Sequence, residues 1–244
     1  MSTPPLFFVA HLPAAERIRL DGAEGRHAAR VRRLGVGEPV LLADGLGAVA
    51  DCVVAEVLPD ALELEVVDWR RLAPPDPYLV VVQALAKGER AELAVELTTE
   101  LGADEIVPWA AARSVVQWRD GRDAKALERW RRTAREAAKQ SRRPRLPVVP
   151  NVASTADVAE RIRGAAGAVV LHEGATNPLS SAALPAGGEL VVVVGPEGGV
   201  DDGELHAFTA AGALAVRLGD PVLRTSTAGA AALAVLSVRL GRWG

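Results

Sequence analysis

"ELVVVVGPEGGVDDGEL", Glu189 to Leu205, sets four consecutive valines ahead of a proline, a glutamate and paired glycines, then resumes with helix-forming residues. The unbroken β-branched run, with no polar alternation, reads as a strand buried on both faces, as in a parallel sheet. "VDDGEL" supplies Asp201 as an N-cap with Glu204 three residues on, a capping-box pattern. The glycines therefore stand at the carboxyl end of a parallel strand, the edge where open α/β sheets bind ligands. A plain strand-to-helix turn would need less. Pro196 stiffens the bend, Gly198 and Gly199 allow close backbone approach, and Glu197 adds an acid that a turn has no use for. The stretch holds neither GxGxxG nor GxxxxGK[ST], and Glu197 would repel a phosphate. A dinucleotide or triphosphate is thus disfavoured, and a ligand with positive charge and hydroxyls fits better.

Two further strand ends repeat this grammar. "GAVVLHEG" closes on His172 and Glu173, and "LAVRLGDPVLRTSTAGAAALAVL" passes Gly219 and Pro221 to reach Arg224. Thr225, Ser226 and Thr227 then offer caps for an almost wholly apolar helix, which must be covered by its own domain or by a second subunit. Taken alone, His172 reads as a satisfied strand-end histidine, and Arg224 divides evenly between a solvated charge and a ligand group.

Outward from these loops the chain falls into two textures on either side of the proline cluster "RLAPPDPYL", Arg71 to Leu79. After it, strands "YLVVVQAL", "DEIVPW", "GAVVLHE", "ELVVVV" and "LAVRLG" alternate with helices over Glu89 to Leu101, Asp123 to Arg142, near Ala156 to Arg163, and from Asp202 and Ser226. That rhythm predicts an α/β domain with a mostly parallel sheet, over residues 78–244. Before the cluster, "PVLLA", "GAVADCVVAEVL" and "LELEVVDW" predict a small β-barrel or sandwich over residues 1–72.

The 244 residues are 49% hydrophobic with a net charge of −3, enough for a real core and no announcement of a polyanion partner. The single Cys52 cannot form an internal disulfide and the four histidines have no metal-ligand spacing, so a reducing cytosol and no metal are expected. The opening residues lack a signal-peptide pattern and no window is long enough to span a bilayer, so no membrane association is expected. Charge is nevertheless concentrated. From Arg119 to Arg145 eleven basic residues face four acids, and at helical spacing Leu127, Trp130, Ala134, Ala137 or Ala138, and Ser141 would turn inward while Lys125, Arg129, Arg132 and Lys139 share the outer face. A second cluster, "GRHAARVRRLG", lies at Gly25 to Gly35. Either cluster alone is more often a solvated face, but two in two domains make RNA the leading partner.

These motifs together resemble the RsmE-type small-subunit ribosomal RNA methyltransferases of the SPOUT superfamily. The likeness runs through "GRHAARVRRLGVGE", "QALAKGERAELAVELTTELGADEIVPWAAARSVV", "REAAKQSRRPRLP", "VVGPEGGVDDGEL" and "LGDPVLRTSTA", in that order and over nearly the whole chain. It implies a PUA-like β-barrel followed by a SPOUT α/β domain with a C-terminal trefoil knot, a homodimer, and S-adenosylmethionine as methyl donor to N3 of a uridine in 16S rRNA. On that likeness three loops hold the donor: Leu171, His172, Glu173 and Gly174; Gly195, Pro196, Glu197, Gly198 and Gly199; and Leu218, Gly219, Val222, Leu223, Arg224 and Thr225. RNA would meet Arg26, His27, Arg30, Arg32 and Arg33 of the first cluster, Arg129, Arg132, Lys139, Arg142 and Arg143 of the second, and Lys87 and Arg113. The chain departs from the family pattern at Ser226, where glutamate is usual, at Asp220 and Pro221, where a basic residue is frequent, and at Leu97 in place of a frequent lysine.

Methyl transfer from a sulfonium asks the protein for positioning and electrostatics. A guanidinium beside the uracil oxygens would stabilise the charge that grows as N3 loses its proton, and Arg224 is the candidate catalytic residue. The residues name no general base. Two other readings stay open: a SPOUT enzyme of different RNA specificity, and a catalytically silent RNA-binding assembly factor.

Overall fold

The computed structural model describes residues 3–118 and 122–243, apart from the side chains of Arg122 and Asp123. Arg119 and Asp120 of the basic stretch lie outside the described residues. Two units are distinguished by their internal contacts, Met1–Pro74 with Ala138–Leu146, and Pro75–Ala137 with Pro147–Gly244.

The first unit is built on β1 (Leu6–Phe8), β2 (Arg17–Leu20), β3 (Pro39–Ala43), β4 (Ala48–Leu58) and β5 (Ala61–Arg71), in sheet order β1-β3-β4-β5-β2. All pairings are antiparallel except β1 with β3. Alternating residues Val40, Leu42, Ala50, Cys52, Val54, Leu62 and Leu64 turn one way and bury Phe7, Ile18 and Leu20 among them. Burial first, and the Asp51 charge second, push the Cys52 thiol up to about 11, so it stays protonated. The "GRHAARVRR" run is not strand. Its first residues belong to helix α1 (Gly22–Arg26), which passes into one turn of π-helix, His27–Val31. Gly25 permits this, because a Cβ there would lie 2.4 Å from the Leu20 carbonyl oxygen.

The second unit follows the predicted alternation: β6 (Tyr78–Ala84), α2 (Glu89–Glu100), β7 (Glu105–Trp109), α3 (Arg122–Gln140), α4 (Thr155–Gly164), β8 (Gly167–Leu171), β9 (Glu189–Val194), α5 (Asp202–Ala210), β10 (Leu214–Val216) and α6 (Thr225–Arg239). The end of α3, from Ala138, belongs to the first unit. The sheet runs β10-β8-β9-β6-β7 and every pairing is parallel. Valine fills it because both faces are covered. Val81, Val192 and Val194 join a core with Leu233 and Leu236 of α6, while Val80, Val191 and Val193 pack with Val158 and Ile162 of α4 and Phe208 of α5. Along α3, Ala126, Leu127, Trp130, Ala134, Ala137 and Ala138 are buried, as helical spacing requires.

The chain end is pinned by Arg242. Its guanidinium donates to the Gly102 carbonyl at 3.0 Å, to the Pro77 carbonyl, and to Asp104 Oδ2 at 2.7 Å, and that carboxylate also accepts from the Leu79 N–H at 2.9 Å. With 5% of the Asp104 side chain exposed, removing it strands a largely buried guanidinium. Asp104→Ala is therefore expected to lower unfolding free energy by about 3–5 kcal/mol, measured as a shift of the urea midpoint at unchanged slope.

Candidate active site

Since β9 lies between β8 and β6, and β10 lies beside β8, the carboxyl ends of β8, β9 and β10 emerge as neighbours. The segments leaving them enclose a cleft of about 830 Å³ in the second unit. Leu171, His172 and Glu173 line it from β8, Gly195, Pro196, Glu197, Gly198 and Gly199 from β9, and Leu218, Gly219, Val222, Leu223, Arg224 and Thr225 from the loop that enters α6. Of the fifteen positions assigned to the donor, Gly174 alone is not on this wall. Its N–H instead donates to His172 Nδ1 at 3.1 Å, which leaves the ring proton of the neutral imidazole on Nε2.

The glycine loop is shaped by close approaches. A Cβ at Gly195 would come within 2.8 Å of Val200 Cγ2, and one at Gly198 within 3.1 Å of Arg113 Cβ. Gly199 takes φ +76° and closes the turn by donating to the Pro196 carbonyl at 2.9 Å. The capping box forms as read: the Asp201 carboxylate accepts from the Gly203 N–H, and Glu204 Oε2 accepts from the Asp201 N–H at 3.1 Å. Glu204 does more than cap. It is buried, and its Oε1 accepts from the Ala112 N–H at 2.7 Å and the Thr155 hydroxyl at 3.1 Å, tying α5 to the segment after β7 and to α4. That segment carries Arg113, whose guanidinium pairs with Asp201 at 3.2 Å and donates to the Gly198 carbonyl at 3.4 Å. Arg113, expected at RNA, thus forms part of the cleft wall.

Lys87 is exposed, and its N–H donates to Glu197 Oε1 at 3.4 Å, so the segment leaving β6 also meets the glycine loop. Arg90, in the first turn of α2, lines the cleft and was not singled out in the sequence. The signal available was its place just past the carboxyl end of a strand that neighbours β9. Arg217 and Asp220 of the wall pair with each other at 3.1 Å. Arg224 differs. It is exposed, holds the N-cap position of α6 with extended backbone, and its side chain makes no ion pair or hydrogen bond among the described residues.

Of the remaining candidates for RNA, Arg26, Arg32 and Arg33 are exposed around the π-helical turn of the first unit. Arg30 pairs with Asp60 at 2.7 Å, and His27 sits edge-on to Phe7 with ring centroids 6.1 Å apart. Arg142 is exposed in a left-handed conformation, φ +56°, and Arg143 is half-buried. Arg132 is exposed on α3, and Arg129 pairs with Glu92 at 3.3 Å. Lys139 departs from the expected solvent face. Its ammonium meets Glu24 at 2.5 Å and lies 4.9 Å from the Phe7 ring centre, with 15% of the side chain exposed. The reason is the hand-over of α3 to the first unit at Ala138, which surrounds the last turn with that unit's own residues.

Among the described residues no three histidine, cysteine or carboxylate side chains gather as a metal site, and no helix is long and apolar enough to cross a membrane. Strongly perturbed ionisation lies at the opposite edge of the sheet. Burial first, and the charges of Glu105 and Asp104 next, push Tyr78 up to about 12, beside Arg161, whose guanidinium bonds both Glu105 and Glu189 at 2.5–2.9 Å. That cluster ties the amino ends of β6, β7 and β9 to α4 and is architectural.

Residues 74–237 match the family described as RNA methyltransferase domain, and residues 20–67 match the RNA methyltransferase PUA domain. Ribosomal RNA small subunit methyltransferase E of Mycobacterium tuberculosis is 49% identical over 98% of this chain and 93% of its own length. The Bacillus subtilis protein of the same name is 33% identical over 91% and 90%. Among solved structures, the ribosomal RNA small subunit methyltransferase E of Neisseria gonorrhoeae bound to S-adenosyl methionine superposes with a TM-score of 0.83 at 25% identity, covering 97% of this chain and 98% of that one. With two domain matches in the right order and close relatives along its full length, the chain belongs to the ribosomal RNA small subunit methyltransferase E family.

Proposed function

We propose that this protein transfers a methyl group from S-adenosylmethionine to N3 of a uridine in 16S rRNA. The observation that carries the reading is the meeting of three strand exits in one cleft, in a family with a member crystallised with that donor. The cleft suits the group. Its glycine loop admits a ligand against bare backbone, since Gly199 has nothing within 4 Å of an added Cβ, and Glu173 and Glu197 place carboxylates on the wall for a sulfonium charge. When bound, the donor supplies an electrophilic methyl group. The protein positions the uracil ring, excludes water, and through the Arg224 guanidinium stabilises the negative charge that builds on the uracil oxygens as the N3 proton leaves.

The PUA-like unit and the exposed arginines Arg26, Arg32, Arg33, Arg132 and Arg142 support RNA as the substrate class. A second copy of the chain is the proposed partner of α6, whose last turn exposes Val238 at 62% and is followed by Trp243, exposed at 47%. Action on ribosomal RNA supports the cytosol as its compartment.

Calorimetric titration with S-adenosylmethionine should give one site per chain; heat with a dinucleotide or GTP and none with the donor overturns the reading. Arg224→Ala should slow single-turnover methylation by about a hundredfold while melting temperature holds, because one oxyanion donor is lost and no ion pair goes with it. For RNA binding, Arg132→Ala should reduce the log-log salt slope by roughly 0.7–0.9, whereas Lys139→Ala should leave the slope and lower the melting temperature. Equal slopes for wild type and Arg132→Ala would mark that face as merely solvated.

A further inference from the structure

Gln83 is a polar side chain in a strand of valines, 1% exposed, and it does not line the cleft. Burying an amide there is unfavourable unless its groups find partners. Its Nε2 donates to Thr225 Oγ1 at 3.0 Å, to the Ala84 carbonyl at 3.3 Å and to the Thr225 carbonyl at 3.5 Å. The Thr225 hydroxyl has one proton, and it lies 2.7 Å from the Gly195 carbonyl. Having given that proton to Gly195, Oγ1 can only accept from Gln83, so the amide must present its NH₂ to Thr225 and point Oε1 elsewhere. Oε1 is indeed buried without a hydrogen-bond partner among the described residues.

The relay joins parts of the chain that lie far apart in sequence. Gly195 begins the glycine loop after β9, and Thr225 follows Arg224 at the start of α6; both line the cleft. Close approach of α6 to β9 makes the reach possible. A Cβ at Gly229 would stand 3.2 Å from Val194 Cγ2 and from Thr98 Cγ2, and 3.6 Å from Gln83 Oε1. We propose that Gln83 is a positioning residue for the cofactor cleft, acting through the Thr225 hydroxyl to hold the glycine loop and the Arg224 end of α6 in one arrangement. The proposal rests on the S-adenosylmethionine reading above and deepens it: the two walls are joined before the ligand arrives, so binding need not order them.

The test titrates S-adenosylmethionine calorimetrically into wild type, Gln83→Met, Thr225→Val, Thr225→Ser and the Gln83→Met/Thr225→Val double variant, with a melting temperature for each. Gln83→Met and Thr225→Val should each weaken binding by about tenfold, the worth of one well-placed buried hydrogen bond. The double variant should bind no worse than the weaker single, because both changes cut one chain, and Thr225→Ser should recover most of what the valine loses. Wild-type affinity in Gln83→Met, or losses that add in the double variant, overturns the proposal, whatever happens to melting temperature. If Gln83→Met does not fold, the Thr225 pair decides, and equal affinity of the Val and Ser forms overturns it. A wild-type protein that binds no S-adenosylmethionine overturns the cofactor reading itself and the proposal with it.

Discussion

The parallel seating of β8 between β10 and β9 is the constraint on which the cleft depends. Register pairs Leu171 with Val216 on one side and Val170 with Val193 on the other, so three strands end together. Parallel strands need crossovers, and the crossovers bury both sheet faces, which is why the strand centres are valine without alternation. Once those centres are fixed, the loops have little choice of direction. The glycines of the β9 exit, the histidine and glutamate of the β8 exit and the long entry to α6 meet because their strands are neighbours, with no need for attraction between the loops themselves.

The arginines divide by what surrounds them. Arg242 and Arg161 sit in carboxylate and carbonyl cages, and Arg113 and Arg217 are paired on the cleft wall itself. These hold structure, and the partly buried ones matter most because a stranded charge there would be costly. Lys139 belongs with them, since Glu24 and the Phe7 ring absorb its charge. Among the arginines expected at RNA, Arg26, Arg32, Arg33, Arg132 and Arg142 are exposed and outside these pairs, and so stay available to a polyanion. Counting basic residues along the chain cannot make this division, because a pairing partner such as Glu24 lies more than a hundred positions from its lysine.

Much of the second unit was legible because its signals are local. Strands β6, β8, β9 and β10 each have a run of apolar residues with a glycine within four positions of its end, and the Asp201 and Glu204 capping box is complete within four residues. The three-loop cleft was legible for the same reason. What escaped depends on atoms brought from elsewhere. The π-helical turn at His27 requires Gly25 to slip under the Leu20 and Asp60 carbonyls, which only the folded sheet supplies. Arg113 reaches the glycine loop because Glu204 fastens the Ala112 amide. Gln83 looks in sequence like a minor interruption of "VVVQAL", and its partner stands 142 residues away.

The proposed chemistry sets two opposite electrostatic demands on one cleft, a cationic donor and an anion that grows on the acceptor. The wall provides carboxylates at the exits of β8 and β9 and leaves the positive end to the start of α6. There the helix N-terminus already carries partial positive charge from its unsatisfied N–H groups. A guanidinium at that N-cap is opposed by the helix dipole, by a few tenths of a kcal/mol up to about 1 kcal/mol, and no described carboxylate pairs with Arg224 to offset it. For the helix alone an uncharged cap such as serine or asparagine would be the better residue. The cation makes sense where an anion develops in front of it: helix end and guanidinium, mutually unfavourable in the empty cleft, then act in the same direction, and their combined potential is used only as charge moves onto the uracil ring.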